Sequence, residues 1–319
     1  MAKLKYTNMS LKYAVIGTGA IGGYYGGKLA NSGQEVHFLL HSDYEYVKRN
    51  GLKVDSVHGD FYLKSVHAYS STSDMPKCDV VLVALKTTNN KLLKELLPPL
   101  LHKDTVVILI QNGLGLEADL QKDFPGLNIA GGLAFICSSK IGEGHIGHFD
   151  EGHLNIGSYS CTNPEILEQV CNDLIQSGVR TQVLELEKAR WMKLIWNIPY
   201  NGMTVVMNCT TANLMSDPVM VDLLYSIMLE VVHGANSVGR GRFSIPESYA
   251  RDILEMTRHM TPYSPSMKLD FDNRRPMEIE YIYSRPISEA QSVGYKMTRI
   301  TMLRSQLQFV EAQYLFCDK

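Results

Sequence analysis

Cysteine is scarce in this chain of 319 residues, and the six present (Cys78, Cys137, Cys161, Cys171, Cys209 and Cys317) include no Cys-x-x-Cys pair. That scatter excludes a disulfide-stapled secreted fold and reads instead as reduced packing thiols in a reducing compartment. Excess charge is lacking too: 31 Lys and Arg face 33 Asp and Glu, a formal net charge of −2. A balance so close to neutral gives no electrostatic reason to expect nucleic acid or an anionic membrane as partner, while leaving room for a local basic site that takes a small anion. No uninterrupted apolar run approaches the ~20 residues that span a bilayer. The opening stretch is polar and has no hydrophobic core, so residues 1–11 read as a loose extension before the first strand, neither secretion signal nor anchor. A cytoplasmic location is expected. Repeats and low-complexity tracts are also missing.

What remains is ordinary globular composition, 45% hydrophobic and 20% charged. At roughly 100–200 residues per domain, the length predicts two domains. The first half alternates strand and helix signals. Tyr13–Gly17, Glu35–Leu40, Asp79–Leu85, Thr105–Gln111 and Ile129–Ile136 read as strands, and the β-branched runs among them suit a parallel sheet covered on both faces. Ala20–Ser32 and Asn163–Ser177 read as helices, and the glycine-rich Gly142–Gly157 as an antiparallel hairpin or edge strand. Past Leu184 the texture changes. Helical periods run through Glu185–Asn208, Val219–Val238, Pro246–Met260, Glu278–Val293 and Ile300–Tyr314, whereas Thr261–Asp272, with Pro262 and Pro265, reads as a turn or extended link. The expectation is a doubly wound α/β domain of Rossmann type over 1–184, followed by an all-helical domain over 185–319.

Directly after the first strand stands Gly17-Thr18-Gly19-Ala20-Ile21-Gly22. Gly17 suits the tight turn, Gly19 a close approach of backbone to a pyrophosphate, and Gly22 the packing of helix on strand. The phosphates would then meet the free N–H groups and dipole of the helix N-terminus. A strand before and a helix after are the context that lifts this glycine spacing above chance. At the end of the second strand, where an acid usually holds the ribose hydroxyls of NAD, the chain reads Leu39-Leu40-His41-Ser42. With no acid in the slot and His41 and Ser42 able to donate, NADP is expected over NAD, with Lys48 and Arg49 nearby.

In the second half, Lys193, Asn197 and Asn201 recur every four residues and so share one helix face. Their neighbours Leu194, Ile195, Trp196, Val205 and Val206 are apolar. Polar groups on a buried face need partners, which either a ligand or a structural network would supply. Pro199 deprives the carbonyl of Ile195 of its usual N–H, predicting a kink that leaves this carbonyl facing the site.

Taken together, GTGAIGG at 17–23, LKTTN at 85–89, QNGLG at 111–115, WMKLIWNIPYN at 191–201, and PSMKLDF with RRPMEIEYI at 265–282 resemble the ketopantoate reductase (2-dehydropantoate 2-reductase) family, over about 11–313. The resemblance implies NADPH-dependent reduction of the ketone of 2-dehydropantoate to pantoate, towards pantothenate and coenzyme A. It implies that Lys86 and Asn112 line the nicotinamide and its ribose, and that Lys193 is the catalytic acid. It also implies that Asn197 and Asn201 hold the substrate, that Ser266 meets its carboxylate, and that Glu278 is the acidic residue of the site. Apart from the resemblance, Glu230 on the Val219–Val238 helix is a weaker candidate for supporting the site. General acid catalysis of this kind is worth about 10²–10⁴-fold. The chain departs from the family at three positions: His41 replaces the arginine for the adenosine phosphate, and Thr211 and Tyr263 replace asparagines. The first bears on the strength of the NADP preference, and the last two leave open a different 2-oxo acid as substrate.

The same sequence offers two other readings. His145, His148, Asp150, Glu151 and His153 invite a metal, but His145 and His148 point to opposite faces of an extended strand, so no metal is expected and the group reads as exposed hairpin. A non-catalytic NADP sensor would share the glycine loop, yet would not need the Lys193, Asn197, Asn201, Ser266 and Glu278 set. The partner expected is a small 2-oxo acid, and an apolar helical domain allows a homodimer.

Overall fold

Tyr13, Ala14, Val15 and Ile16 are all buried, as in a parallel strand covered on both faces of its sheet. The computed structural model describes residues 10–260 and 264–315. Most of the expected extension, together with Tyr263 and Cys317, lies outside the described residues. The chain divides into two units. The first comprises residues up to Leu85, Asn89–Gln111 and Leu120–Leu184; the second comprises Lys86–Thr88, Asn112–Asp119 and Glu185 onward.

In chain order the first unit builds β1 (Lys12–Ile16), α1 (Ala20–Asn31), β2 (Glu35–Leu39), α2 (Tyr44–Asn50), β3 (Leu52–Ser56), β4 (Phe61–Leu63), β5 (His67–Tyr69), β6 (Val80–Val83), α3 (Leu93–Leu96) and β7 (Val106–Leu109). After α4 (Leu116–Asp123), which begins in the second unit, come β8 (Asn128–Gly142), β9 (His145–Ser158) and α5 (Pro164–Gln176). One nine-stranded sheet results, ordered β4-β3-β9-β8-β7-β6-β1-β2-β5. The pairings of β1 with β2 and β6, of β6 with β7 and of β7 with β8 are parallel. The chain leaves β1 for β2 on one side and returns to β6 on the other. The loop after β1 therefore sits at the switch point, where doubly wound sheets bind ligands.

Two expectations change. Gly142–Gly157 is not itself a hairpin: β8 and β9 are the two arms of one long antiparallel hairpin, bent by register shifts near Phe135/Ile136, Cys137/Ser138 and Lys140/Gly142. Strands β3, β4 and β5 were not anticipated. β4 and β5 are three-residue strands at the two ends of the sheet, too short for an alternating pattern to register.

The second unit is helical: α6 (Leu186–Val206), α7 (Thr211–Ser216), α8 (Pro218–Gly239), α9 (Glu247–His259), α10 (Ser266–Asp272), a π-helical turn over Glu280–Ser284, α11 (Arg285–Ser292) and α12 (Thr298–Leu315). Helix α10 replaces part of the link expected over 261–272. Helix α6 runs through Pro199 without a break, and the hydroxyl of Tyr283 donates to the carbonyl of Ile198 at 2.9 Å. Its start is capped by Glu185, whose carboxylate accepts from Glu187 N and Lys188 N. Trp191, Leu194, Ile195, Ile198 and Tyr200 anchor it in a core shared with Leu224, Met228 and Val231 of α8. By length and composition α8 is apolar enough to cross a bilayer, yet it carries Asp222, Glu230 and His233, and its buried face belongs to this core.

The described thiols are free and buried or half-buried. Burial pushes those of Cys78 and Cys137 up to about 12, away from nucleophilic thiolate.

Candidate active site

In the first unit, Gly17 adopts φ +93°, and a Cβ there would lie 2.7 Å from Leu85 N. A Cβ on Gly22 would come within 2.3 Å of the carbonyl oxygen of Gly17. Both positions require glycine on steric grounds alone. Gly19 differs, because a Cβ on it would meet nothing within 4 Å. Its backbone thus presents an open face at the start of α1, a helix with no side-chain cap and no acid in its first turn. Free N–H groups and the positive end of the dipole point there, which is what a pyrophosphate requires. Thr18 ties this loop to the end of β2 through its hydroxyl, 2.8 Å from the carbonyl of Leu39. The Gly22→Ala variant should raise the dissociation constant for a dinucleotide at least about tenfold, roughly 1.4 kcal/mol; titration of NADPH fluorescence would measure it, with circular dichroism to check the fold.

At the end of β2, His41 and Ser42 are both exposed. The next residue, Asp43, is buried, with its carboxylate held by Gly144 N at 3.1 Å and by Lys140 at 2.8 Å. The nearest acid therefore faces the β8–β9 hairpin and does not offer itself to a ribose.

In the second unit, the α6 stripe is buried: Lys193 keeps 9% of its accessibility, Asn197 6% and Asn201 1%. Burial, helped by the guanidinium of Arg190 and opposed by Glu278, brings the Lys193 amine down to about 7. Asn197 Nδ2 is a buried donor with no hydrogen-bond partner among the described residues, a costly arrangement unless a ligand accepts from it. Asn201 Oδ1 accepts from Met267 N at 3.2 Å, which ties α6 to the start of α10 beside Ser266.

Lys86 donates to Asp270 Oδ2 at 2.7 Å and reaches Glu278 Oε2 at 3.5 Å, while Glu278 Oε1 accepts from Thr87 N at 2.9 Å. Burial alone would lower the Lys86 amine, but Glu278 and Asp270 outweigh it and hold it above its ordinary value. Glu278 therefore fastens the 86–88 segment while lending negative potential to Lys193. The segment carrying Asn112 is fastened similarly. Leu114 N donates to Tyr281 O at 2.9 Å, and Gly113, at φ +112°, would drive a Cβ to 2.6 Å from Tyr281. The buried Arg190 also grips Glu117 through Nε at 3.1 Å.

Sequence reasoning missed Asp270, Thr87, Glu117 and Arg190. Asp270 lies one turn after Ser266 inside the matched PSMKLDF stretch, and Arg190 lies one turn before Lys193. Helical spacing was thus the signal that could have found both. Glu230 is a correction: its carboxylate accepts from Arg299 N at 3.2 Å and Ile300 N at 3.0 Å, so it caps α12. Thr211 is buried and lines a hollow with Ala212, Met215, Ser216, Thr257, Arg258 and Met260.

The histidine group is a second correction, because none of its members is exposed. His148 is buried, with Nδ1 2.8 Å from Ser56 Oγ and Nε2 facing the carbonyls of Asp150 and Glu151. His145 pairs with Asp55, and His153 stacks on Phe135. Among the described residues, no group of three or more His, Cys, Asp or Glu side chains is placed to hold a metal ion.

Comparison with known proteins matches residues 13–160 to the family model "Ketopantoate reductase PanE/ApbA" and residues 185–311 to its C-terminal counterpart. A 2-dehydropantoate 2-reductase of Nostoc sp. (strain PCC 7120) is 47% identical over 308 residues, covering 95% of this chain and 96% of that protein. Among solved structures, a 2-dehydropantoate 2-reductase of Geobacter metallireducens GS-15 superposes with a TM-score of 0.91 at 38% identity, covering 94% of this chain and 99% of the other. That of Methylococcus capsulatus gives 0.87 at 28% identity, covering 96% and 98%.

Proposed function

The chain belongs to the ketopantoate reductase family, and we propose that it reduces the ketone of 2-dehydropantoate to pantoate, with Lys193 as the acid. It is an oxidoreductase acting on a CH–OH group and uses a nicotinamide cofactor, which when bound supplies the hydride. The product leads towards pantothenate and coenzyme A. The Gly17–Gly22 loop, with Thr18, Ala20 and Ile21, accepts the pyrophosphate; Lys86 and Asn112 serve the nicotinamide half. His41 and Ser42 at the end of β2, where no acid is offered, support NADPH over NADH. Asn197 and Asn201 orient the substrate, and Ser266, at the first turn of α10, meets its carboxylate.

The observation that carries this reading is the buried Lys193 amine, lowered to about 7, one helical turn from Asn197, whose buried Nδ2 has no acceptor among the described residues. An amine so tuned stabilises negative charge forming on a ketone oxygen and then releases its proton to it. Only the ammonium form can do so. The kcat/KM for reduction should therefore hold level below about pH 7 and fall tenfold per pH unit above it, as the amine loses its proton. The reverse oxidation needs the free amine and should fall below that pH. Rates of NADPH consumption with 2-dehydropantoate between pH 5 and 9, with NADH as comparison, test the reading. No oxidation of either cofactor across that range would reject it.

Thr211, standing at a family asparagine, favours a second reading in which another 2-oxo acid is the better substrate. A panel of branched and aromatic 2-oxo acids, ranked by kcat/KM, decides between the two.

A further inference from the structure

Arg190 and Glu117 are charged, yet they are as buried as the core, at 2% and 4% exposure. Arg190 Nε lies 3.1 Å from Glu117 Oε1, and Nη2 lies 2.5 Å from the same oxygen. Burying such a pair costs desolvation that hydrophobic residues would avoid, so its presence asks for a reason other than stability. Its position supplies one. Arg190 lies three residues before Lys193 on α6 and so shares its face. Glu117 lies in the first turn of α4, where the helix dipole favours negative charge.

We propose that Arg190 and Glu117 are positioning residues for Lys193: a guanidinium fixed one turn before the amine by a buried carboxylate, making the ammonium a readier proton donor. This rests on Lys193 being the acid of the proposed reduction. A lysine buried among apolar side chains already favours its neutral form, and a fixed positive neighbour extends that bias. Glu117 prevents the guanidinium from swinging away or standing uncompensated. Glu278 acts on Lys193 in the opposite sense, so the amine sits between one positive and one negative neighbour. The other buried charges on elements packed against α6 are already engaged: Asp270 by Lys86 and Arg275, Lys268 by Asp272, and Glu230 by Arg299.

The test is the double variant Arg190→Met with Glu117→Gln, which removes both charges without leaving either buried alone. Two readouts are taken. One is the pH profile of kcat/KM for reduction; the other is the titration of Lys193 itself, followed by NMR in protein carrying 13Cε-labelled lysine and assigned with Lys193→Arg. The expectation is that both midpoints move upward by about one pH unit, tenfold in proton affinity, the lower end for removing a like charge nearby. Arg190→Lys, which keeps a cation in place, should stay near the parent profile. If the double variant folds but loses turnover, an upward shift of the Lys193 resonance still supports the pair's role. Unmoved midpoints in the double variant overturn it. If the parent reduces no 2-oxo acid at all, the reaction assignment fails while the NMR titration still decides the question for Arg190 and Glu117.

Discussion

Replacing Lys193 by methionine is expected to lower turnover at least a hundredfold while the affinity for NADPH stays within a factor of about two, since general acid catalysis is worth about 10²–10⁴-fold. Methionine preserves the length and most of the volume of the lysine stem, so packing around Leu194 and Trp191 should hold. Stability separates this loss from misfolding. Burial lowers the amine to about 7 in the folded protein, against 10.5 for an unconstrained lysine. Between those values the unfolded chain binds more protons than the native one, so parent stability rises with pH across that window. Below about 7 both states are protonated and the buried ammonium costs its full desolvation. Lys193→Met removes that cost and that pH dependence, so at pH 7 its melting temperature should equal or exceed the parent's. Steady-state kinetics, fluorescence titration and calorimetry from pH 6 to 10 check this. Turnover within tenfold of the parent would remove Lys193 from the chemistry.

Much of this could be read before the structure, for identifiable reasons. The β1 run and the glycine loop announce themselves because both rest on local constraints: four consecutive buried side chains, and two glycines whose Cβ atoms would strike neighbouring backbone. The α6 stripe was legible because a four-residue repeat can be seen in one dimension. What stayed hidden depends on long-range partners. Glu278 is separated by 191 positions from Thr87, whose N–H it accepts, and no periodicity reports such a contact. Glu230 illustrates the converse: an acid on an apolar helix looks like a site residue until the neighbouring helix start that it caps is known. His148 looked exposed because its hairpin sequence is polar and glycine-rich, but β3 pairs alongside β9 and Tyr24 packs on its ring.

Glu278→Gln should be the other severe variant, and its pH dependence distinguishes its action from that of Lys193. The carboxylate answers Thr87 N and lies near the Lys86 ammonium. Glutamine retains an oxygen for Thr87 but removes the charge. Lys86 is then held by Asp270 alone, with a neutral amide where the second carboxylate stood. The two carboxylates are buried but the Lys86 side chain is half-exposed, so solvent screening and the remaining Asp270 contact should keep the stability loss well below the about 3–5 kcal/mol of a fully buried pair. The effect on Lys193 is electrostatic: Glu278 raises its proton affinity, so without that charge the amine loses its proton at lower pH. The descending limb of the reduction profile should therefore move below the parent's. At pH 7 kcat/KM should fall at least tenfold, with part of the loss recovered on acidifying to pH 6. Glu278→Asp keeps the charge but shortens the reach to Thr87; it should keep the limb near the parent position while weakening NADPH binding. A profile for Glu278→Gln that drops uniformly, with its limb unmoved, would mean that the carboxylate serves only to fasten the 86–88 segment and has no part in tuning the acid.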